Sequence, residues 1–177
     1  MKNYDYQKKL YKIWEKAVGL YKKKKRGANT YFTKTEKNFL DAIGATPQEI
    51  YDFAEDYVHD EEPDFATMAM IHDVRRSYFL EKQKGKRSSR QLVQETLPPK
   101  EKKIRGIVWL PRIIEKAKSK LRGELDPDTM YDCGGDRRFF KANDVHPAEF
   151  LRVVWKYDNN RNAIINWVAS RSKSSKS

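Results

Sequence analysis

The chain is poor in the residues that usually carry chemistry. It has one cysteine (Cys133), three histidines and eight glycines among 177 residues. A single thiol closes no disulfide within the chain, so nothing points to an oxidising compartment. His59, His72, His146 and Cys133 show neither zinc-finger nor HExxH spacing, and neither a metal site nor a cofactor is expected. No phosphate-loop or dinucleotide-binding glycine pattern occurs. No apolar run approaches the roughly 18 residues of a membrane span. The opening MKNYDYQKKLYK lacks the apolar stretch of a secretory signal. No membrane partner is expected, and the cytoplasm is the expected location.

What is abundant is charge and aromatic surface. Charged residues make up 35% of the chain, and the formal net charge is +12. Ten Tyr, eight Phe and four Trp argue for a folded protein, because disordered chains are poor in aromatics. A strong positive balance favours encounter with anionic partners, nucleic acid first, and also simply keeps a small protein soluble. The charge is uneven: from Asp41 to Asp64 there are nine acids and no Lys or Arg. That acidic block is one candidate to neutralise the flanking basic helices within the fold, and it tempers any claim that the whole surface is positive.

Apolar residues at Leu10, Ile13, Trp14, Ala17, Val18 and Tyr21 follow helical spacing. The run Lys22 to Arg26 is expected to end this helix as cations near its negative C-terminus, with Gly27 available as a stop. Thr33 and Glu36 have capping-box spacing, and Thr46-Pro47-Gln48-Glu49 combines an N-cap, a proline at N1 and a second capping glutamate. A longer helix is expected from near Asp64 to Gln83, then a connector that loses periodicity.

Much of this framework returns 100 residues later. Leu110, Ile113, Ala117 and Leu121 repeat the stripe of Leu10, Ile13, Ala17 and Tyr21, and Glu115-Lys116-Ala117 repeats Glu15-Lys16-Ala17. Tyr131, Phe139, Ala142, Pro147, Glu149 and Tyr157 match Tyr31, Phe39, Ala42, Pro47, Glu49 and Tyr57. A unit of roughly 65 residues buries too little surface to be comfortable alone. The expectation is therefore an all-α protein of two tandem homologous four-helix repeats, packed about a pseudo-two-fold axis. The repeats would span residues 1–85 and 106–170, with a linker at 86–105 and a flexible basic tail at 171–177.

The stretch Gly106 to Ala117 (GIVWLPRIIEKA), with Leu121-Arg122-Gly123, Tyr131-Asp132-Cys133, Asp136 and Phe139, resembles a bacterial family, domain of unknown function 5069. Tyr4-Asp5-Tyr6, Tyr31-Phe32-Thr33 and Leu97-Pro98-Pro99-Lys100 resemble its two-copy members. Glu115 stands where that family often has aspartate. The resemblance implies the duplicated architecture and carries no activity, cofactor or substrate.

Three constellations are candidates for function. Gly134 and Gly135, before a helix, are placed to aim backbone N–H groups at an anion, with Arg112, Lys116, Arg137 and Arg138 as further donors. The plainer alternative is a tight turn with Asp136 as helix cap. The matching Thr33-Lys34-Thr35-Glu36 has no glycine, so only the second copy has this feature. Cys133, at a helix start near arginines, is a candidate nucleophile, and His146 is the nearest base in sequence. However, the position of His146 before Pro147 already suits an N-cap. Finally, Lys100 to Lys103, Arg105, Lys116, Lys118, Lys120 and Arg122 form a basic set beside Trp109 and Tyr131, which would either stack on bases or belong to the core.

The expected function is a small basic helical binding module for an anionic partner, nucleic acid or a ribonucleoprotein first. The alternative is a small-ligand binder or enzyme with a pocket formed by Arg112, Trp109, Tyr131 and the Cys133-Gly134-Gly135-Asp136 turn. A third reading is a protein-interaction domain in which acidic block meets basic helix, making the chain either a monomer or a salt-sensitive homo-oligomer.

Overall fold

A computed structural model of the chain describes residues 3–174. The chain forms two compact units, Met1–Arg87 and Ser88–Ser177, and both are mainly helical.

In the first unit, α1 (Tyr6–Lys22) buries Leu10, Ile13, Trp14, Ala17, Val18 and Tyr21, the stripe its periodicity predicts. A short turn of helix, α2 (Ala28–Tyr31), leads into α3 (Lys34–Ala42), then α4 (Pro47–Asp60) and α5 (Phe65–Glu81). Both predicted capping boxes form, Thr33 with Glu36 and Thr46 with Glu49, so each glutamate satisfies a backbone donor that its helix leaves open. Asp64 caps α5 by accepting from Thr67 N. α1 packs along α4, which is the main helix pair of this unit. At Gly44 the backbone is left-handed (φ 73°), and the Phe79 ring lies 2.8 Å from where a Cβ would sit, so two independent constraints select glycine.

The end of α1 falls within the lysine run, as expected. α1 is stopped by Lys24, which takes the left-handed conformation (φ 60°), and not by Gly27. Lys24 N donates to Tyr21 O (2.9 Å) and Lys25 N to Leu20 O (3.1 Å), the paired bonds of a Schellman end. Gly27 (φ 100°) instead precedes α2.

The second unit begins inside the segment expected as a linker. Leu97 is buried, Leu92 N donates to Glu124 O (2.6 Å), and Ser88 Oγ donates to the Glu124 carboxylate (2.6 Å). Residues 88–105 are therefore fastened to this unit. A small antiparallel hairpin follows, with β1 (Lys103–Ile104) paired to β2 (Ile107–Val108) in the register Lys103 to Val108 and Ile104 to Ile107. Its two loop residues, Arg105 and Gly106, both have positive φ (51° and 78°), the twist that two-residue hairpins favour. The helices are α6 (Leu110–Arg122), α7 (Gly134–Ala142), α8 (Pro147–Lys156) and α9 (Arg161–Ser174), with α6 packed on α8.

The predicted basic tail is helical as far as Ser174. Arg171 pairs with Glu149 (2.5 Å), and Ser172 Oγ donates to Asn143 Oδ1 (2.5 Å). Residues 175–177 lie outside the described residues. No helix among the described residues is long and apolar enough to cross a membrane.

Several bounds recur at the same 100-residue offset. α3 and α7 cover 34–42 and 134–142, α4 and α8 start at 47 and 147, and α1 and α6 end at 22 and 122.

Candidate functional site

The start of α7 is organised around Asp136. Its carboxylate is fully buried and accepts three donors: Trp109 Nε1 (2.8 Å), Asp132 N (3.0 Å) and the ammonium of Lys116. Lys116 reaches it from α6 and is itself 3% exposed, so the pair is removed from water. An ion pair in that setting is tolerated only when further bonds satisfy its remaining lone pairs and protons, which the indole and the Asp132 amide help to do. Asp132 holds a left-handed backbone (φ 70°) that turns its N–H toward the carboxylate. The Lys116 ammonium also lies 3.5 Å from the Cys133 sulfur.

The two glycines have a packing role here. A Cβ on Gly135 would stand 2.7 Å from the Trp109 ring, so the indole lies directly on the glycine while it bonds Asp136. Neither Gly134 nor Gly135 has positive φ. The reason for a small residue at Gly135 is close approach of an aromatic ring. Cys133 is the N-cap of α7, half-buried and without a side-chain capping bond.

Of the residues expected to gather an anion, Arg137 Nη2 and Arg138 Nη1 lie 3.7 Å and 3.8 Å from where a Cβ on Gly134 would sit, whereas Lys116 is committed to Asp136. Arg137 is buried, and its Nη1 donates to Asp132 O (2.8 Å). Arg112 is half-buried, with its guanidinium donating to Pro98 O (2.9 Å) and lying 5.9 Å from the centre of the Trp109 ring. Arg138 is exposed. Tyr131 is a core residue, 1% exposed and donating to Pro147 O (2.9 Å); burial pushes its hydroxyl well above the usual tyrosine range. His146 Nδ1 accepts from Ala148 N (3.2 Å), the capping role its position before proline suggests. In the basic set on α6, Lys116 and Lys120 are buried, while Lys118 and Arg122 are half-buried. The exposed cations of this region are Lys100, Lys102, Lys103 and Arg105, on and beside the hairpin.

The Lys116–Asp136 pair is absent from the sequence expectations, and its counterpart in the other half likewise emerges only from the packed helices. Lys16 pairs with Glu36 (2.7 Å and 3.0 Å) at the same offset, and Glu36 closes the Thr33 box. Burial alone would raise the Glu36 carboxyl, but its bonds to Lys16 and Thr33 outweigh it and hold the group below its usual value. No cluster of three or more His, Cys, Asp or Glu side chains fit to hold a metal ion occurs among the described residues.

The second unit is thus a small helical domain whose α6 and α7 are locked by a buried ion pair under an indole. Residues 94–177 match the family model described as Domain of unknown function (DUF5069), and this half of the chain is similar to that family. No curated protein and no solved structure matches the chain.

Proposed function

We propose that the protein is a binding module for an anionic partner, nucleic acid or a ribonucleoprotein first, acting in the cytoplasm. The observation that carries this reading is the exposed cation set Lys100, Lys102, Lys103 and Arg105, on a segment fastened to the second unit. Arg138 adds a further exposed charge at the start of α7. Cations on an ordered mount neutralise phosphates while losing less side-chain and backbone freedom than a disordered tail would.

We also propose that the chain is a tandem duplication. The coincident bounds of α3 with α7, the starts of α4 and α8, and the ion pairs Lys16–Glu36 and Lys116–Asp136 support this. The second copy would then have exchanged an open pair for a closed one.

The test is retention of the full chain on generic RNA and DNA across a salt series. Binding at low salt that falls steeply as salt rises is expected; no retention at low salt removes the proposal. The second reading, a small-ligand site at the Cys133 turn, draws on the half-buried thiol beside the Lys116 ammonium. A Cys133 that reacts with a charged alkylating agent no faster than a free thiol leaves it without a nucleophile. Light scattering at low and high salt distinguishes a monomer from an oligomer held by acidic and basic faces.

A further inference from the structure

The first unit carries a second cation cluster that the turn at α7 does not explain. Lys22, Lys23, Lys24 and Lys25 are consecutive and exposed, and none has an ion-pair partner among the described residues. The acidic α4 packs against α1, yet its carboxylates leave this run alone. Glu55 is engaged instead by the Tyr21 hydroxyl (2.5 Å). At this end of α1 the acidic block therefore makes no ion pair with the lysine run among the described residues.

The cluster is held on a fixed mount. Arg26 lays its guanidinium over the Tyr21 ring at 3.6 Å and donates to Tyr21 O (2.9 Å) and Lys25 O (2.8 Å). Tyr31 donates its hydroxyl to the same Lys25 carbonyl (2.7 Å). The α1 end is a Schellman turn whose left-handed position favours glycine, since a side chain there costs on the order of 1 kcal/mol. The chain places Lys24 there.

We infer that the Lys22–Arg26 loop is a second contact for the phosphate backbone of nucleic acid, independent of base sequence. This rests on the reading of the protein as a nucleic-acid binder. Lysine ammoniums are compact point charges without the planar fork that reads base edges, so four of them supply affinity and salt dependence but no sequence preference. An acidic membrane surface is the poorer fit. Amphipathic membrane contacts need exposed apolar side chains beside the charge, and the exposed neighbours here are Gly27, Asn29 and Thr30.

The test uses the full chain with the combined substitutions Lys22→Ala, Lys23→Ala, Lys24→Gly and Lys25→Ala. Glycine at position 24 suits the left-handed backbone, so the thermal midpoint should hold or rise. Affinity for a mixed-sequence duplex and for a single-stranded RNA is measured against salt. The slope of log K against log salt should shrink by about 2 to 4, with roughly a hundredfold loss of affinity at low salt and equal loss on unrelated sequences. Wild-type protein that binds no nucleic acid overturns the underlying reading. Wild-type binding with an unchanged slope in the variant overturns this inference alone, as does a variant that loses binding only to anionic vesicles.

Discussion

The two units make the same connection in different solvents. In the first, Lys16 meets Glu36 with side chains 36% and 24% exposed; in the second, Lys116 meets Asp136 with side chains 4% and 0% exposed. The longer glutamate completes a Thr33 capping box at the surface. The shorter aspartate reaches back to the Asp132 amide and is roofed by Trp109, which can lie so low because position 135 is glycine. A pair that water screens adds little, whereas a pair shut away from water makes each partner dependent on the other.

The comparison breaks most visibly at the lysines. Lys116→Met strands a buried carboxylate and should cost about 3–5 kcal/mol, whereas Lys16→Met should cost under about 1 kcal/mol. Chemical denaturation of both variants measures the contrast, and equal losses would erase it. Next in size is Gly135→Ala. Helix propensity favours alanine by roughly 1 kcal/mol, but the Trp109 contact should reverse the sign to a loss of about 1–3 kcal/mol, while Thr35→Ala at the matching position should be near neutral. A smaller effect separates the caps. Thr33→Ala should lose about 1 kcal/mol, and Cys133→Ser, which gives α7 a capping hydroxyl it lacks, should gain up to about 1 kcal/mol.

The smallest expected effect is a pH dependence confined to the first unit. Burial pushes the Asp52 carboxyl up to about 7, against the bond from Gln48 and with help from Glu55, Glu49 and Asp56. The folded unit then holds a proton that the unfolded chain releases above its ordinary value of 3.8. Stability contributed by this group is present below that value, falls as pH rises toward 7, and is level beyond it. Asp52→Asn should raise the thermal midpoint by a few degrees at pH 8 and by less at pH 5. An equal shift at both values would contradict the assignment.

Local signals were legible in the sequence because their partners are close in the chain. The Thr33 and Thr46 boxes span three residues each, and the α1 stripe is a matter of period alone. The lock at α7 was not legible, because Trp109, Lys116 and Asp136 lie up to 27 residues apart and meet only once α6 and α7 pack. Gly135 read as a device for exposing backbone N–H groups, since a glycine selected by a neighbouring ring looks the same in sequence. Lys116 and Lys120 counted toward a phosphate-tracking face for the same reason: composition records a cation without its burial. The stop of α1 at Lys24 ran against the preference of the left-handed region for glycine.

The most direct measurement is a residue-resolved footprint by amide and indole NMR shifts as a short mixed-sequence oligonucleotide is added to the full chain. The expected result is movement at residues 22–26 and 100–105, with the Trp109 indole N–H, tied to Asp136, unmoved. Shifts centred on Trp109, Gly134 and Gly135, with both lysine segments silent, would contradict it.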